Sequence, residues 1–280
     1  MMLLWGMVLL AVAGAALICM AAGAFAGPAW LWLLPVSALG LLLVLAALAF
    51  GFLWLICRMV DQSKPQEHDS LFYRSAVKLY IDALVRVLRV RIHTTGLEQT
   101  PEQGRFLLVC NHTSDADPVV LLHCFRNSQL AFITKRENCT MFLVGKIMHK
   151  LLCQPVNREN DREALKTILK CIQLIKDDEV SVAVFPEGYI HPDHKLHHFR
   201  HGVFKIATKT RVPIVVCTMK NTLRVFENMP KLKPTDIDLH LLRVITPQEY
   251  EQMTTVELGS WIYDMMAADL GPENVSQEEP

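Results

Sequence analysis

The sequence predicts an α/β fold, a mostly parallel sheet flanked by helices, preceded by an N-terminal transmembrane hairpin of two apolar helices. Three observations predict it. From about residue 70 onward, short apolar runs of strand length alternate with longer stretches of helical periodicity, the pattern of strands linked by crossover helices. Two of those runs, Phe106-Leu107-Leu108-Val109-Cys110 and Val182-Ala183-Val184-Phe185, are apolar at every position, as strands covered on both faces must be. Finally, no Lys, Arg, Asp or Glu occurs before Arg58, so all the charged residues of this 280-residue, formally neutral chain fall in the remainder.

The uncharged N-terminal block is membrane material. At 1.5 Å rise per residue, about 20 residues cross the hydrocarbon core, so residues 1–57 supply two spans, expected near 3–26 and 30–57 and divided at Gly27-Pro28. A cleaved signal peptide would open on a basic region, which Met1-Met2-Leu3-Leu4 lacks, although Ala24-Phe25-Ala26 has the form of a cleavage site. A half-inserted hairpin stays open beside two full spans, because Pro35 lies early in the second segment and Trp5, Trp30, Trp32 and Trp54 suit interfaces. Arg58 and Lys64 hold the end of the second segment on the cytoplasmic side, and the rest of the chain with it. The organisation expected is a membrane anchor over 1–57, one catalytic domain over 58–270, and a polar, fraying tail over 271–280.

Within the domain, residues 70–89 read as an amphipathic helix. Val77, Tyr80, Ile81, Leu84, Val85 and Leu88 share one face against Arg74, Lys78, Asp82, Arg86 and Arg89. That charged face suits either anionic headgroups or plain solvent. Strands follow near 90–94, 105–110, 130–134, 180–185, 213–218 and 236–244. Helices are expected from 118, near 138–150 and 161–176, over 202–210 and near 255–269. Eight cysteines without a Cys-x-x-Cys pair read as reduced, buried small apolar residues, and Cys110 as core rather than nucleophile.

The chemistry concentrates where two predicted strands end. Asn111-His112-Thr113-Ser114-Asp115-Ala116-Asp117-Pro118 follows the first, and Pro186-Glu187-Gly188 follows Phe185. Functional groups gather at the carboxyl ends of parallel strands, so the two turns belong to one site. A neutral imidazole takes a proton from a hydroxyl near neutral pH, and a carboxylate fixes its tautomer and stabilises the imidazolium. Five residues along a straight helix turn through roughly 500°, leaving two side chains about 140° apart. His112 and Asp117 therefore meet only across a tight turn that enters a helix at Pro118, with Asp117 suited to cap it. The plainer alternative makes Asp117 only that cap, His112 a loop histidine and Pro-Glu-Gly an ordinary turn.

Asn111-His112 through Asp117, with Phe185-Pro186-Glu187-Gly188, resembles the glycerolipid acyltransferases, and is most similar to the bacterial 1-acylglycerol-3-phosphate acyltransferases. Lys135-Arg136-Glu137 with Pro155-Val156-Asn157-Arg158-Glu159, Val212-Pro213-Ile214-Val215 and Gly96-Leu97-Glu98 fit the same resemblance, which covers roughly residues 86 to 245. It implies a membrane-bound enzyme that moves a fatty acyl group from a thioester to the free hydroxyl of 1-acylglycerol-3-phosphate, giving phosphatidic acid. His112 would be the base and Asp117 its partner, with no covalent enzyme intermediate. Arg158, supported by Lys135, would hold the acceptor phosphate. Glu187 would hold an acceptor hydroxyl or brace its loop, and N–H groups of Pro186-Glu187-Gly188 would stabilise the oxyanion.

The chain departs from the family where Tyr189-Ile190-His191 stands in place of Thr-Arg-Ser, and Asn157 in place of Asp. The missing arginine leaves the acceptor open, glycerol 3-phosphate or another lysophospholipid being the alternatives, with Lys195 or Arg200 as replacement cations. His191, His194, His197, His198 and His201 match no standard zinc spacing, so no metal is expected. Expected partners are membrane lipid, a lysophospholipid acceptor and acyl-CoA or acyl carrier protein, with no further cofactor and no nucleic acid. A lipid-binding scaffold is the non-enzymatic alternative. A hydrolase lacks its Gly-x-Ser-x-Gly turn here.

Overall fold

The structure, a computed structural model, describes residues 2–157 and 160–277. Two apolar helices open the chain, α1 (Met2–Ala21) and α2 (Trp30–Arg58). The first is shorter than the sequence suggests. Gly23 takes a left-handed backbone, φ 65°, and a single 3₁₀ turn, Ala24–Ala26, uses up the remaining residues. Both helices are long and apolar enough to cross a membrane. They pack as a hairpin with Gly14 against Leu41, where a methyl group on the glycine would stand 2.8 Å from Leu41 Cδ1.

Helix α3 (Leu71–Val87) runs back along the end of α2. The Tyr73 hydroxyl donates to the carbonyl of Ile56 at 2.8 Å and the Tyr80 hydroxyl to that of Ala49 at 2.6 Å, so the two helices are antiparallel. One member of its expected charged face does not face outward. Arg74 is buried, clamped to Asp69 at 2.7 Å and donating to the carbonyls of Leu130 and Leu151. Apolar stem and guanidinium both find partners inside, which a helical-wheel pattern does not foresee.

The chain then follows β1 (Val90–Thr95), β2 (Leu107–Cys110), α4 (Asp117–Cys124), β3 (Leu130–Lys135), α5 (Val144–Lys150), β4 (Gln154–Val156), α6 (Asp161–Lys176) and β5 (Ser181–Val184). After it come α7 (Lys205–Thr210), β6 (Ile214–Lys220), α8 (Arg224–Asn228), β7 (Thr235–Ile245), α9 (Pro247–Tyr250) and α10 (Thr255–Leu270). Short β4, α8 and α9 escape the periodicity reading because none is long enough to show a period. The strands form one sheet in the order β1-β7-β6-β2-β5-β3-β4. All neighbours are parallel except β6 and β7. Because β7 runs against β6, with Lys220 opposite Asp238, and β1 runs with β7, the starts of β1 and β7 lie at the same edge as the end of β2.

Alternate residues of β2, with Phe106 just before it, fill two separate cores. Phe106, Leu108 and Cys110 pack with Val77, Ile81, Val120 and Leu121 beneath α3 and α4. Leu107 and Val109 pack with Ile172, Ile206, Ile262 and Met266 beneath α6, α7 and α10. The expected fraying tail is a correction: residues 271–276 dock instead of fraying. Leu196 N–H donates to the carbonyl of Asn274, Ser276 N–H returns to that of Leu196, and Val275 joins the second core. An apolar residue halfway along the acidic tail, Val275, supplies the anchor that composition alone obscures.

Candidate active site

Strand β2 ends at Cys110, and the chain turns through residues 111–116 into α4. Asn111 fixes where the turn begins. It is buried, and its amide exchanges both hydrogen bonds with the backbone of Met219 on β6, accepting from the N–H at 2.7 Å and donating to the carbonyl at 2.9 Å. His112 Nδ1 then lies 2.9 Å from Asp117 Oδ2. The same carboxylate oxygen accepts the N–H groups of Thr113 and Ser114, at 2.8 and 2.9 Å.

Asp117 is therefore not the expected helix cap. Ala116 occupies the N-cap position, and the fully buried Asp117 carboxylate reaches back to close the loop that carries the histidine. An acceptor facing two N–H groups accepts from Nδ1–H as well, which leaves the lone pair on Nε2. The imidazole is further held flat against Phe185, with ring centroids 4.1 Å apart and planes 13° from parallel. Phe185 is the residue after β5, so the second motif touches the first through that stack.

Glu187 completes the link. Buried at 2% exposure, it accepts the N–H of His112 at 2.7 Å on one oxygen and that of His197 at 3.1 Å on the other. Burial pushes its carboxyl up to about 8, against the pull of those two N–H donors. With one backbone N–H on each oxygen, Glu187 ties the His112 turn to the His197 loop. The oxyanion reading also changes. Proline has no N–H, and the Gly188 N–H is spent on the carbonyl of Phe185 at 3.0 Å, so this turn does not present a pair of free donors.

Gly188 has φ 91°, a left-handed backbone that glycine takes without strain, and a side chain there would press on Arg200 Nε at 3.0 Å. Arg200 thus lies across the glycine, beside the position where the family carries its arginine. The histidine loop is part of the same assembly: His194 Nδ1 lies 2.8 Å from the Thr113 carbonyl, His197 pairs with Asp193 at 2.9 Å, and His191 stacks on His197 at 3.5 Å. Thr222, fully buried, bonds the Thr113 hydroxyl at 2.9 Å. Nothing in the sequence singles out Thr222, whereas the density of histidines after Glu187 was a visible signal of a loop with polar work to do.

Lys135 ends β3 on the same sheet edge, two strand spacings or about 10 Å from β2. It is exposed and lies 3.8 Å from Glu137; among the described residues no hydrogen bond joins it to the His112–Asp117 pair. Arg158 lies outside the described residues. Asn157 donates to Glu163 at 2.9 Å. Cys110 sits in the core with its thiol pushed well above its ordinary range by burial, which removes it as a nucleophile.

A family model described as "Acyltransferase" matches residues 91–220. A Mycoplasma pneumoniae protein named "Probable 1-acyl-sn-glycerol-3-phosphate acyltransferase" is 26% identical over 181 residues, 63% of this chain and 67% of that protein. The chloroplastic 1-acyl-sn-glycerol-3-phosphate acyltransferase BAT2 of Brassica napus is 33% identical over 128 residues, 45% of this chain but only 36% of the plant protein. The crystal structure of the 1-acyl-sn-glycerophosphate acyltransferase PlsC from Thermotoga maritima shares the fold, with a TM-score of 0.60 and 21% identity over 82% of this chain and 90% of that one. The stretch that matches the acyltransferase family model, residues 91–220, holds His112, Asp117, Lys135, Glu187 and Gly188 together.

Proposed function

We propose that this chain transfers a fatty acyl group from an acyl thioester to the free hydroxyl of 1-acylglycerol-3-phosphate, forming phosphatidic acid. The observation that carries the proposal is the His112–Asp117 pair, with Nδ1 committed to a buried carboxylate and Nε2 left as the base. In the reaction, Nε2 accepts the proton of the acceptor hydroxyl while the hydroxyl oxygen attacks the thioester carbonyl. The C–S bond then breaks, and the imidazolium returns its proton to the departing thiolate. Asp117 stabilises the imidazolium in between, a general-base contribution of about 10²- to 10⁴-fold. The chemistry needs no cofactor beyond the thioester co-substrate, acyl-CoA or acyl carrier protein.

Glu187 and Phe185 position the imidazole, one through the backbone N–H and one through its ring face. Arg200 beside Gly188, with Lys135 and Arg158, supplies the cations for the acceptor phosphate. The two apolar helices anchor the domain to a membrane, and Arg58 and Lys64 place it on the cytoplasmic side. The test is acyl transfer by detergent-solubilised protein to 1-acylglycerol-3-phosphate, glycerol 3-phosphate and lysophosphatidylcholine, from acyl-CoA and from acyl carrier protein, beside His112→Ala. Phosphatidic acid formed only by the unmutated chain supports the reading. Equal product from the variant removes the base, and transfer to another acceptor alone removes the substrate.

A further inference from the structure

The hairpin gives the sheet a direction relative to a bilayer. Helix α3 starts beside the beginning of β3, where Arg74 holds the carbonyl of Leu130, and ends at the start of β1, on the edge where His112 stands. Helix α2 lies antiparallel to it, Ala49 level with Tyr80. From that level α3 continues 7 residues to Val87, while α2 reaches back 19 residues to Trp30. At 1.5 Å per residue the tip of the hairpin projects about 18 Å beyond the end of α3. A bilayer that receives the hairpin therefore lies on the side of the His112 edge.

On that edge the connection between β6 and β7, residues 221–234, is built in an unusual way for a surface facing water. Phe226, Met229 and Leu232 are exposed, Leu232 at 77%. Leu232 is held out by a left-handed backbone, φ 51°, and its carbonyl accepts Arg89 Nη1 at 2.8 Å. Arg224, Lys231 and Lys233 are exposed beside these side chains, and Glu227 is the one acid in the segment. The Arg89 bond joins the segment to an open groove of about 570 Å³ between α3 and β1, lined by Arg86, Arg89, Arg91 and Arg126. Arg91 pairs there with Asp236 and Arg126 with Asp82, so the groove holds more cations than acids. Exposed apolar side chains fringed by Lys and Arg are what an interfacial membrane contact requires, because the first enter the acyl boundary and the second meet headgroup phosphates.

We propose that the β6–β7 connection is a second membrane contact, which inserts Phe226, Met229 and Leu232 into an anionic phospholipid bilayer while Arg86, Lys231 and Lys233 hold headgroup phosphates. The strands it joins lie one and two strand spacings, about 5 and 10 Å, from β2. Together with the hairpin it pins the sheet at two points and keeps the His112 edge at the lipid surface. The proposal rests on the hairpin entering the bilayer, and not on the identity of the acyl acceptor.

The test is photo-crosslinking of the full chain reconstituted in phosphatidylcholine vesicles with and without phosphatidylglycerol. Benzoylphenylalanine replaces Leu232 or Phe226 in turn, with Leu39 in α2 as the hairpin reference and Gln103, on the opposite edge of the sheet, as the control. Lipid adducts at 226 and 232 well above those at 103 are expected, increased by phosphatidylglycerol. Lys231→Glu with Lys233→Glu is expected to lower them several-fold while leaving position 39 unchanged. Adducts at 39 but not at 226 or 232 overturn the second contact and leave the hairpin in place. Adducts at none of the three overturn both, and adducts to protein at 232 overturn it in favour of contact between copies of the chain.

Discussion

Asp117 Oδ2 accepts three donors at once, His112 Nδ1 and the N–H groups of Thr113 and Ser114, while Asp117 Oδ1 is buried without a hydrogen-bond partner among the described residues. The carboxylate is thus both the partner of the base and the clasp of the loop that carries it. These two roles separate by substitution.

Asp117→Asn keeps a carbonyl oxygen where all three donors converge and puts its NH₂ in the place of Oδ1. The loop stays closed, at a cost of about 1–3 kcal/mol for an amide buried without an acceptor. Charge opposite the imidazolium is lost. Activity of Asp117→Asn is expected to fall by about 10²- to 10⁴-fold, as for His112→Ala. Asp117→Ala should lose as much activity and more stability, since three donors are then orphaned. Thermal unfolding beside steady-state kinetics separates the three variants; equal stability of the Asn and Ala forms would deny the clasp.

Glu187 predicts a pH dependence of stability. Its ordinary value is 4.5 and burial raises it to about 8 in the folded chain. Between those values the folded state holds a proton that the unfolded state has lost, so the contribution of this group to stability falls as pH rises through the window and is level above it. The slope for one proton is at most about 1.4 kcal/mol per pH unit. Glu187→Gln carries no such titration. The difference in unfolding free energy, unmutated minus Glu187→Gln, is expected to decline from pH 4.5 to about 8. A difference that stays constant across that window would place the folded-state carboxyl at or below its ordinary value and deny the upward shift.

Much of this site is legible in the sequence, and the remainder is hidden for particular reasons. The two all-apolar strands and their polar ends identify the sheet edge, and the five-residue offset of His112 from Asp117 demands the turn that is found. The direction of the Asp117 side chain is not legible, because a cap and a loop clasp use the same residue type at a helix start. Nor is the spending of the Gly188 N–H on Phe185, or of both Glu187 oxygens on backbone separated by 75 residues in one case. Hydrogen-bond partners distant in the chain leave no periodic trace. Arg74 fails for the same reason: its charge is neutralised by Asp69 and by two carbonyls that only the folded sheet brings near.

Arg74 and Asp69 are 6% and 4% exposed at their side chains, and the pair ties the linker after α2 to the domain. Removing one partner leaves an uncompensated buried charge, which costs about 3–5 kcal/mol. Arg74→Ala is expected to lower the unfolding free energy by that amount, read as a lower denaturant midpoint with the slope unchanged. Replacing both, Asp69→Asn with Arg74→Met, should recover part of the loss. A double variant no better than the single one would assign the cost to the lost bonds to Leu130 and Leu151.

Arg200 offers the sharpest test of acceptor choice, because it lies against the glycine that follows Glu187 and the chain lacks the family's arginine there. Its backbone N–H donates to the carbonyl of Pro186 at 2.8 Å, a bond that Arg200→Ala keeps. Arg200→Ala should therefore leave the His112 geometry intact and act on binding. A charge-assisted bond to phosphate contributes about 1.5–3 kcal/mol, or roughly 10- to 150-fold in KM. That increase is expected for 1-acylglycerol-3-phosphate, with kcat changed little, and no increase for an acceptor without a terminal phosphate. Gly188→Ala should raise the same KM by displacing the Arg200 side chain, while costing stability through its left-handed backbone. If Arg200→Ala lowers kcat equally for both kinds of acceptor, the arginine supports the loop instead of the phosphate; Lys195→Ala then becomes the variant in which phosphate selectivity is sought.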